Sequence, residues 1–467
     1  MKRVMTVEER ILGMSALNEE TSGRPTEPHI PTATRLARIA WLSARDRGRR
    51  FDCLMHHINR ETLVACFDEL DGKKAVGVDG VTKEEYGGKL DENVTDLLER
   101  MKRMAYRPGP IRRVLIPKDG NPGATRPLGI ANFEDKLVQK AMAKVLENVY
   151  EPIFLNCSYG FRPGRGCHDA IRALHQHLFS QPTSTVIDVD LANYFGSIRI
   201  EQLVAVLRLK IGDDRFIRNI VRMMKSGVLA DGELLTSEEG VPQGSPVSPV
   251  LANVFAHHVI DEWFEDIVKP LCAGRVALFR YADDLTICCE SPVDAERIRR
   301  ALGKRLAKFG LAVNEEKTRL VPFSRGRAGR GEPQGSFDFL GFKFYLGKAT
   351  SGRCIPKLRT SPKRLRSKLK AIRSWVKTNR SAMRLRELWQ LFCQKLTGHI
   401  AYYGVSFNSE AMERFVWLAE CELFKWLNRR GGKKFMTWEK FERFMARFPL
   451  PRIRIVHSLI TPPQPRK

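Results

Sequence analysis

The sequence lacks any apolar run long enough to cross a bilayer, and no apolar segment follows the basic start Met1-Lys2-Arg3. We therefore expect neither a membrane-spanning helix nor a secretion signal. The ten cysteines include no Cys-x-x-Cys pair, and the ten histidines show no spacing typical of metal ligands. This pattern argues against a disulfide framework and a zinc site, and it indicates free thiols in a reducing cytosol.

Acidic residues are scarce relative to basic ones: 53 Asp and Glu stand against 79 Lys and Arg, which gives a net charge of +26. Such a surplus predicts a polyanionic partner, of which nucleic acid is the usual one. The surplus is uneven, since residues 353–386 hold thirteen Lys or Arg and no Asp or Glu. Apolar residues keep helical spacing there, at Leu365, Leu369, Ile372 and Val376. We predict a helix with one buried stripe and a cationic exterior.

Two adjacent acids, Asp283 and Asp284, lie between the short apolar segments 278–280 and 285–289. The pattern predicts two buried strands with the acids at the turn of a hairpin. The turn has two interpretations. It is either a solvated tip, because Asp favours turns, or a pair of carboxylates whose repulsion and lost solvation are offset by Mg²⁺.

A further acid, Asp190, ends the apolar segment 185–191, which we predict to be a buried strand. Two strands of one sheet would bring Asp190 close to Asp283, where the carboxylates could hold two Mg²⁺ ions about 3.5–4 Å apart. Such a site supports in-line phosphoryl transfer at a primer 3′-hydroxyl. A lone buried Asp is more often structural, but two acidic strand sites in one basic protein favour the metal site.

Apolar periodicity along the chain predicts strands interleaved with long helices, which favours an α+β fold with a sheet backed by helices. The predicted elements are strands at 111–117 and 126–130, a helix capped by Asn132 and ending near 150, the strand 185–191, helices near 199–209, 213–225 and 247–268, the hairpin, a helix at 293–309 and a strand at 337–344.

Eight short segments together carry a resemblance to the reverse transcriptases, and most closely to the group II intron-encoded reverse transcriptase/maturases. It covers about residues 60–440, and the order of the segments makes it specific. In chain order they are Gly77-Val78-Asp79-Gly80, Ile116-Pro117-Lys118 to Arg126-Pro127-Leu128, Tyr159-Gly160-Phe161-Arg162-Pro163-Gly164-Arg165, Asp190 to Phe195, Gly240-Val241-Pro242-Gln243-Gly244-Ser245-Pro246-Val247-Ser248-Pro249, Tyr281 to Asp284, Asn314-Glu315-Glu316-Lys317-Thr318 and Phe339-Leu340-Gly341-Phe342.

The resemblance implies a right-hand polymerase with fingers, palm and thumb, and it assigns roles to particular residues. The implied catalytic and metal-binding groups are Asp190, Asp283, Asp284 and the backbone carbonyl of Leu191. The implied nucleotide-binding residues are Lys118 and Arg126 on the triphosphate, Phe195 as a steric gate against the 2′-hydroxyl, Gln243 at the nucleotide or templating pair, and Lys317 as a proton donor to pyrophosphate. The implied primer grip is Phe339, Leu340, Gly341 and Phe342.

The resemblance also divides the chain. We expect a loose leader at 1–50, broken by prolines, fingers and palm at 51–345, an all-helical thumb/maturase region (domain X) at 346–428 and a short basic DNA-binding region at 429–467. Cations of the basic helix are expected to bind RNA and DNA phosphates; they are Lys363, Arg364, Arg366, Lys368, Lys370 and Arg373. Arg and aromatic residues around Lys395 to Tyr403 and Trp417 to Trp438 could stack on unpaired RNA bases, or the aromatic residues could form the core of a helical bundle.

Departures from the family pattern are few. Leu191-Ala192-Asn193 follows Asp190 where a Lys or Arg two positions on is common, and Gly196 replaces a common Asp. No paired His/Cys pattern of an endonuclease module follows Lys433, so we expect no cutting of a second DNA strand by this chain.

The function that follows from the resemblance is RNA-directed DNA synthesis within a group II intron ribonucleoprotein in the bacterial cytoplasm or nucleoid, with assistance to splicing and retrohoming. Its partners are intron RNA, an RNA template, a DNA primer or target DNA, deoxynucleoside triphosphates and two Mg²⁺ ions, and no membrane. Three alternatives stay open: a related reverse transcriptase recruited for defence or repair, an RNA-binding splicing factor without polymerase activity, and an RNA-dependent RNA polymerase.

Overall fold

The computed structural model describes residues 32–118, 121–230, 233–235, 240, 244–430 and 436–460. The predicted proline breaks before residue 32, Gln243, the Gly431-Gly432 break and the Pro-rich tail from 461 lie outside these residues, as does the side chain of Lys118. The strands are β1 (Ile111–Lys118), β2 (Asn121–Ile130), β3 (Thr185–Asp190), β4 (Val228–Ala230), β5 (Glu233–Leu235), β6 (Val276–Tyr281), β7 (Asp284–Cys289), β8 (Arg319–Pro322), β9 (Phe337–Phe339), β10 (Phe342–Lys348) and β11 (Cys354–Thr360).

Helices surround these strands, and π-helical stretches at His257–Glu262 and Phe264–Val268 extend one of them. Short 3₁₀ turns lie at Met55–His57 and Lys269–Leu271. The α-helices are α1 (Thr32–Arg45), α2 (Arg60–Glu69), α3 (Lys83–Gly87), α4 (Leu90–Lys102), α5 (Phe133–Tyr150), α6 (Cys167–Ser180), α7 (Tyr194–Ser197), α8 (Ile200–Arg208), α9 (Asp214–Met224), α10 (Ser248–Ala256), α11 (Pro292–Lys308), α12 (Arg325–Gly329), α13 (Pro362–Asn379), α14 (Leu385–Tyr403), α15 (Ser409–Leu427) and α16 (Trp438–Arg447).

The central sheet has the strand order β6-β7-β3-β8, with antiparallel neighbours throughout. Both of its faces are covered, because alternate residues of each strand enter different cores. Ile187 and Leu285 belong to the large core that includes Ile298 and Leu302 of α11. Val186 and Cys288 enter a second core with helix α6. The predicted α+β arrangement, a sheet backed by helices, is confirmed, and the predicted hairpin forms β6 and β7.

The N-terminal sheet has the order β2-β1-β4-β5. Helix α5 begins after Asn132, as predicted, but the Asn132 side chain makes no hydrogen bond to the helix. Its Oδ1 instead accepts from the backbone N of Val78 at 2.9 Å. The glycine at position 77 leaves room for this contact, since a Cβ there would lie 2.3 Å from Asn132 Oδ1. The asparagine therefore joins the glycine-rich loop to the start of α5.

Three predictions need correction. The segment 337–344 is two antiparallel strands, β9 and β10, because Leu340 and Gly341 both adopt positive φ (49° and 82°) and reverse the chain. Residues 354–360 form strand β11 rather than the start of the basic helix, so the predicted helical region begins at Pro362. Part of the predicted loose leader is helix α1, whose Leu36 and Ile39 are buried.

Helices α13 to α16 form a C-terminal bundle with its own apolar core. The predicted stripe of α13 is confirmed: Ile372 and Val376 are buried, and Leu365 and Leu369 pack against this core. Trp426 of α15 is buried in this core. For this aromatic residue the core interpretation is therefore correct.

The predicted free thiols are confirmed, since all ten cysteines are unpaired. Across the described residues, no helix combines the length and the apolar character needed to cross a membrane.

Candidate active site

Three predicted acids meet at one end of the central sheet. In the β6–β7 ladder Tyr281 pairs with Asp284, which leaves Ala282 and Asp283 as the two-residue turn. In the neighbouring ladder Asp190, the last residue of β3, pairs with Asp284. Directly opposed residues in an antiparallel ladder have Cα atoms about 4.5–5.5 Å apart. The register therefore brings together carboxylates that are more than ninety positions apart in the sequence.

A cavity of about 560 Å³ opens over this end of the sheet. It contains more acids than the sequence analysis selected, among them Asp188 and Asp338. The signal for Asp188 was present, because it lies two residues before Asp190 and strand side chains alternate with a period of two. The cavity is lined by Asp188, Val189, Asp190, Asp283, Asp284, Glu316, Lys317, Arg319, Asp338 and Lys363.

Neighbouring cations and amides partner several of these acids. Lys317 Nζ donates to Asp190 Oδ2 at 2.9 Å, and Arg319 Nη2 donates to Asp188 Oδ2 at 2.9 Å. Arg319 reaches Asp188 because β8 places the two residues opposite each other. The backbone N of Leu340 donates to Asp284 Oδ2 at 3.3 Å. Asp283, in the turn itself, is exposed.

Burial changes the proton affinity of the acids at this site. Loss of solvation raises the pKa of Asp284 to about 7. The nearby acids raise this pKa further, whereas the hydrogen bond from Leu340 N lowers it. Although Asp283 keeps solvent contact through the cavity, the surrounding protein still desolvates it and raises its pKa. Burial likewise raises the pKa of Asp188, against the lowering effect of Arg319. A bound cation would offset the desolvation and the repulsion.

The donor set fits a hard cation in its chemistry, since the candidate ligands are carboxylates without histidine or thiolate. In the described part of the chain, however, no three His, Cys, Asp or Glu residues are grouped closely enough to hold a metal ion. The ammonium of Lys317 instead neutralises Asp190. The three acids thus share a cavity, and Asp190 would have to exchange Lys317 for a metal ion.

The carbonyl of Leu191 was predicted as a further metal ligand. The two residues beside Leu191 form backbone hydrogen bonds with the segment 312–314. Asn314 N donates to Asp190 O, and Ala192 N donates to Ala312 O. Backbone carbonyls along an extended chain point alternately to opposite sides. The Leu191 carbonyl therefore points away from that segment, towards the side of β3 on which β7 lies.

The predicted gate residue Phe195 lies in the short helix α7, where its ring is half-buried and 5.6 Å from the ring of Tyr194. Tyr194 is anchored by a 2.7 Å hydrogen bond from its hydroxyl to Ala252 O. The departure at Gly196 has a steric reason, because a Cβ there would lie 2.3 Å from Asn193 Nδ2. Asn193 precedes α7 in a left-handed conformation with φ 44°.

The predicted primer grip forms the turn between β9 and β10. Phe339 and Phe342 are buried in the second core and anchor the turn. The carbonyl of Leu340 accepts from the Tyr402 hydroxyl at 2.8 Å, and the carbonyl of Gly341 accepts from Ser361 N at 3.0 Å. Since Leu340 N contacts Asp284, this turn joins the acidic site to the C-terminal bundle.

The predicted phosphate-binding cations lie in different surroundings. On the N-terminal sheet, Arg126 is exposed on β2, opposite Ile116. On α13, Lys363 lines the acidic cavity, while Arg364 and Lys368 line a neighbouring cavity of about 650 Å³ together with Asp284 and Trp375. The remaining predicted cations of α13 are exposed: Arg366, Lys370 and Arg373. The helix therefore presents positive charge to the acidic site and to solvent.

The mixed helix-and-sheet fold is that of a right-hand polymerase, as a match to a family model implies. Residues 116–344 match the family described as reverse transcriptase (RNA-dependent DNA polymerase). The chain is 31% identical over 230 residues to the group II intron-encoded protein LtrA of Lactococcus lactis subsp. cremoris, covering 49% of this chain and 38% of that protein. It is 31% identical over 313 residues to the protein YkfC of Escherichia coli K12, covering 60% of this chain and 78% of that protein.

A third relative is the uncharacterized 91 kDa protein in the cob intron of Schizosaccharomyces pombe, 34% identical over 210 residues, which cover 45% of this chain and 25% of that protein. The chain thus spans a quarter to about two fifths of the length of this protein and of LtrA, and more than three quarters of YkfC. The chain belongs to the reverse transcriptase family, among its group II intron-encoded reverse transcriptase/maturases.

Proposed function

We propose that the protein copies RNA into DNA by nucleotidyl transfer that depends on two Mg²⁺ ions, with Asp190, Asp283 and Asp284 as the metal-binding carboxylates. The observation that carries the proposal is the pairing of Asp190 with Asp284 across the β3–β7 ladder, beside the Asp283 turn. The Leu191 carbonyl adds an oxygen ligand on the same side. When bound, the ions activate the primer 3′-hydroxyl and neutralise the leaving pyrophosphate.

We assign the binding of the nucleotide to the residues that the family resemblance indicates. Lys118 and Arg126 bind the triphosphate, as a point charge and a bidentate donor respectively. Phe195 closes the space beside the 2′ position, which favours deoxynucleotides. Gln243 touches the nucleotide or the templating pair. Lys317 leaves Asp190 and gives a proton to the departing pyrophosphate.

The nucleic acid lies against the C-terminal part of the chain. The turn of Phe339, Leu340, Gly341 and Phe342 positions the primer end. The cations of α13 bind phosphates of the RNA–DNA hybrid and of intron RNA, with affinity that falls as salt rises. We divide the chain into fingers and palm at 51–345, a thumb and maturase region at 346–428 and a DNA-binding region at 429–467.

We further propose that the RNA partner is a group II intron, whose splicing and retrohoming the protein assists. Two observations support this. One is the similarity to a group II intron-encoded protein, and the other is the cationic helix α13, whose Lys363 lines the acidic cavity. Sequencing of RNA that co-purifies with the protein tests this partner. Enrichment of a group II intron supports the proposal, and enrichment of unrelated RNA alone contradicts it.

Primer extension on an RNA template with deoxynucleotides and Mg²⁺ tests the polymerase itself. The parent protein is expected to make DNA, and Asp283→Ala is expected to abolish synthesis. The matched control is Asp266→Ala, which removes an exposed acid from a π-helical stretch of the chain. Parent protein that makes no DNA under these conditions contradicts the proposal.

A further inference from the structure

Arg280, two residues before the catalytic turn of Ala282 and Asp283, is a fully buried charge. Its guanidinium is paired with the equally buried Asp261, with Nε 2.7 Å from Oδ1 and Nη2 2.5 Å from Oδ2. Asp261 lies in the π-helical stretch His257–Glu262. Helices of this type are rare in proteins, and those that occur are often found at functional sites. Replacement of a buried ion pair by apolar residues of similar volume often leaves the stability of the folded protein unchanged or increases it. A contribution to stability therefore does not explain why Arg280 and Asp261 are present.

The remaining donors of Arg280 connect three segments of the chain. Nη1 donates to the carbonyl oxygen of Ala282 at 3.2 Å and to Asn253 Oδ1 at 3.0 Å. Nη2 also donates to Ser158 Oγ at 2.7 Å. The guanidinium thus joins the catalytic turn to helix α10 and to the segment before α6, and Asp261 fixes its orientation from the opposite side.

The turn that Arg280 contacts has a strained backbone. Ala282 has φ 57°, a left-handed conformation that is unfavourable for residues with a Cβ and persists only where the surroundings enforce it. Gly160 contributes from the other side, since a Cβ there would lie 2.5 Å from Ala282 N. Asn253 Nδ2 holds Gly160 in place through a 2.6 Å hydrogen bond to its carbonyl. Two connected contacts therefore enforce the Ala282 conformation.

We infer that Arg280, oriented by Asp261, is a positioning residue that fixes the Ala282–Asp283 peptide and thereby aims the Asp283 carboxylate at the metal site. The inference deepens the proposed function and rests on it. Arg280 touches neither the substrate nor the carboxylate itself, and it acts through the carbonyl immediately before Asp283. Loss of the guanidinium frees the turn, so that Asp283 loses its fixed direction while the strands that carry the site remain.

The test is a double variant, Arg280→Met with Asp261→Leu, which replaces the ion pair by apolar side chains. We expect the melting temperature to stay within a few degrees of the parent value. We expect kcat to fall at least about tenfold, because small displacements of reacting groups cost large factors. The Mg²⁺ concentration at half-maximal kcat should rise several-fold, while the KM for primer–template stays unchanged. The matched control is Arg100→Met with Glu134→Leu, which removes a half-buried bidentate pair between α4 and α5 and should leave the Mg²⁺ midpoint unchanged.

The outcomes separate the two claims. A parent protein without polymerase activity overturns the proposed function. An active parent together with a folded double variant whose kcat and Mg²⁺ midpoint are unchanged overturns the role of Arg280. If the double variant does not fold, Arg280→Lys decides. A lysine keeps a charge beside Asp261 but cannot present the guanidinium fork to Asp261 and Ala282 together. Its Mg²⁺ midpoint should rise, and an unchanged midpoint in the folded protein overturns the inference.

Discussion

Lys317 holds Asp190 in a hydrogen-bonded ion pair, with Nζ 2.9 Å from Oδ2, at the end of the strand that carries the acidic site. Both side chains retain substantial exposure, 65% for the lysine and 45% for the acid. An exposed pair of this kind contributes at most about 1 kcal/mol. A divalent ion can therefore replace the ammonium at little cost, as the proposed function requires.

The Lys317→Met variant tests this exchange. Without a competing ammonium, Mg²⁺ binding in the absence of nucleotide should tighten by up to about fivefold, the equivalent of about 1 kcal/mol. Loss of the proton donor should lower single-turnover synthesis by about 10²-fold. Titration calorimetry measures the first effect and rapid quench the second. Lys304→Met, at an exposed position of α11, is the control, and weaker Mg²⁺ binding in Lys317→Met would contradict the exchange.

The Phe195→Ala variant tests the sugar gate. Removal of the ring opens space beside the 2′ position, so the preference for deoxynucleotides over ribonucleotides should fall by about tenfold or more. The ratio of kcat/KM values for the two nucleotides measures this change. Phe179→Ala removes an exposed ring from α6 and should leave the ratio unaltered. Equal use of both nucleotides by the parent protein would contradict the assignment of Phe195.

The raised pKa of Asp284 predicts how stability depends on pH without metal. Burial lifts this pKa from 3.8 to about 7, so the folded protein binds a proton more tightly than the unfolded chain does. The contribution is therefore fully present below about pH 4 and is lost as pH rises through about 7, by on the order of a few kcal/mol. Urea unfolding in EDTA between pH 4 and 8 measures this loss. The loss should be smaller in Asp284→Asn, and an equal pH dependence in both proteins would contradict it.

Two glycines provide a matched pair of substitutions. Gly160→Ala places a Cβ 2.5 Å from Ala282 N and must displace the catalytic turn, so both stability and polymerase activity should fall. Gly303, in the middle of α11, has open space around its Cα. Gly303→Ala should therefore stabilise the protein by about 0.5–1 kcal/mol with activity unchanged. Thermal unfolding and primer extension measure both effects, and full activity in Gly160→Ala would contradict the close packing of the turn.

The sequence predicts those parts of the fold that depend on local patterns. The hairpin around Asp283 follows from apolar strands that flank a turn, and the buried stripe of α13 follows from its helical spacing. The segment 337–344 resembles one strand because aromatic and polar residues alternate on either side of Leu340-Gly341. The alternation itself is interrupted there, since the aromatic residues change from positions 337 and 339 to positions 342 and 344. The glycine at 341 was the available signal, since glycine inside a strand pattern often marks a break.

Long-range pairing accounts for what sequence analysis missed. Asp188 could be predicted from its alternation with Asp190, but its partner Arg319 could not, because Arg319 lies opposite it only when β8 pairs with β3. Arg280 was passed over because arginine is rarely buried, and its partner Asp261 lies on another element. The pairing of Lys317 with Asp190 likewise arises only when the segment before β8 folds against β3. The sequence thus predicts which residues belong to the site, but it does not predict which distant residues they contact.

The most direct test of the central claim is a crystal structure with Mn²⁺, a terminated primer on an RNA template and an incoming deoxynucleotide, in which anomalous scattering locates the metal. The account predicts two Mn²⁺ ions about 3.5–4 Å apart, bound by Asp190, Asp283 and Asp284, with Lys317 released from Asp190. Anomalous peaks away from these three carboxylates, or an intact Lys317–Asp190 pair in that complex, would contradict it.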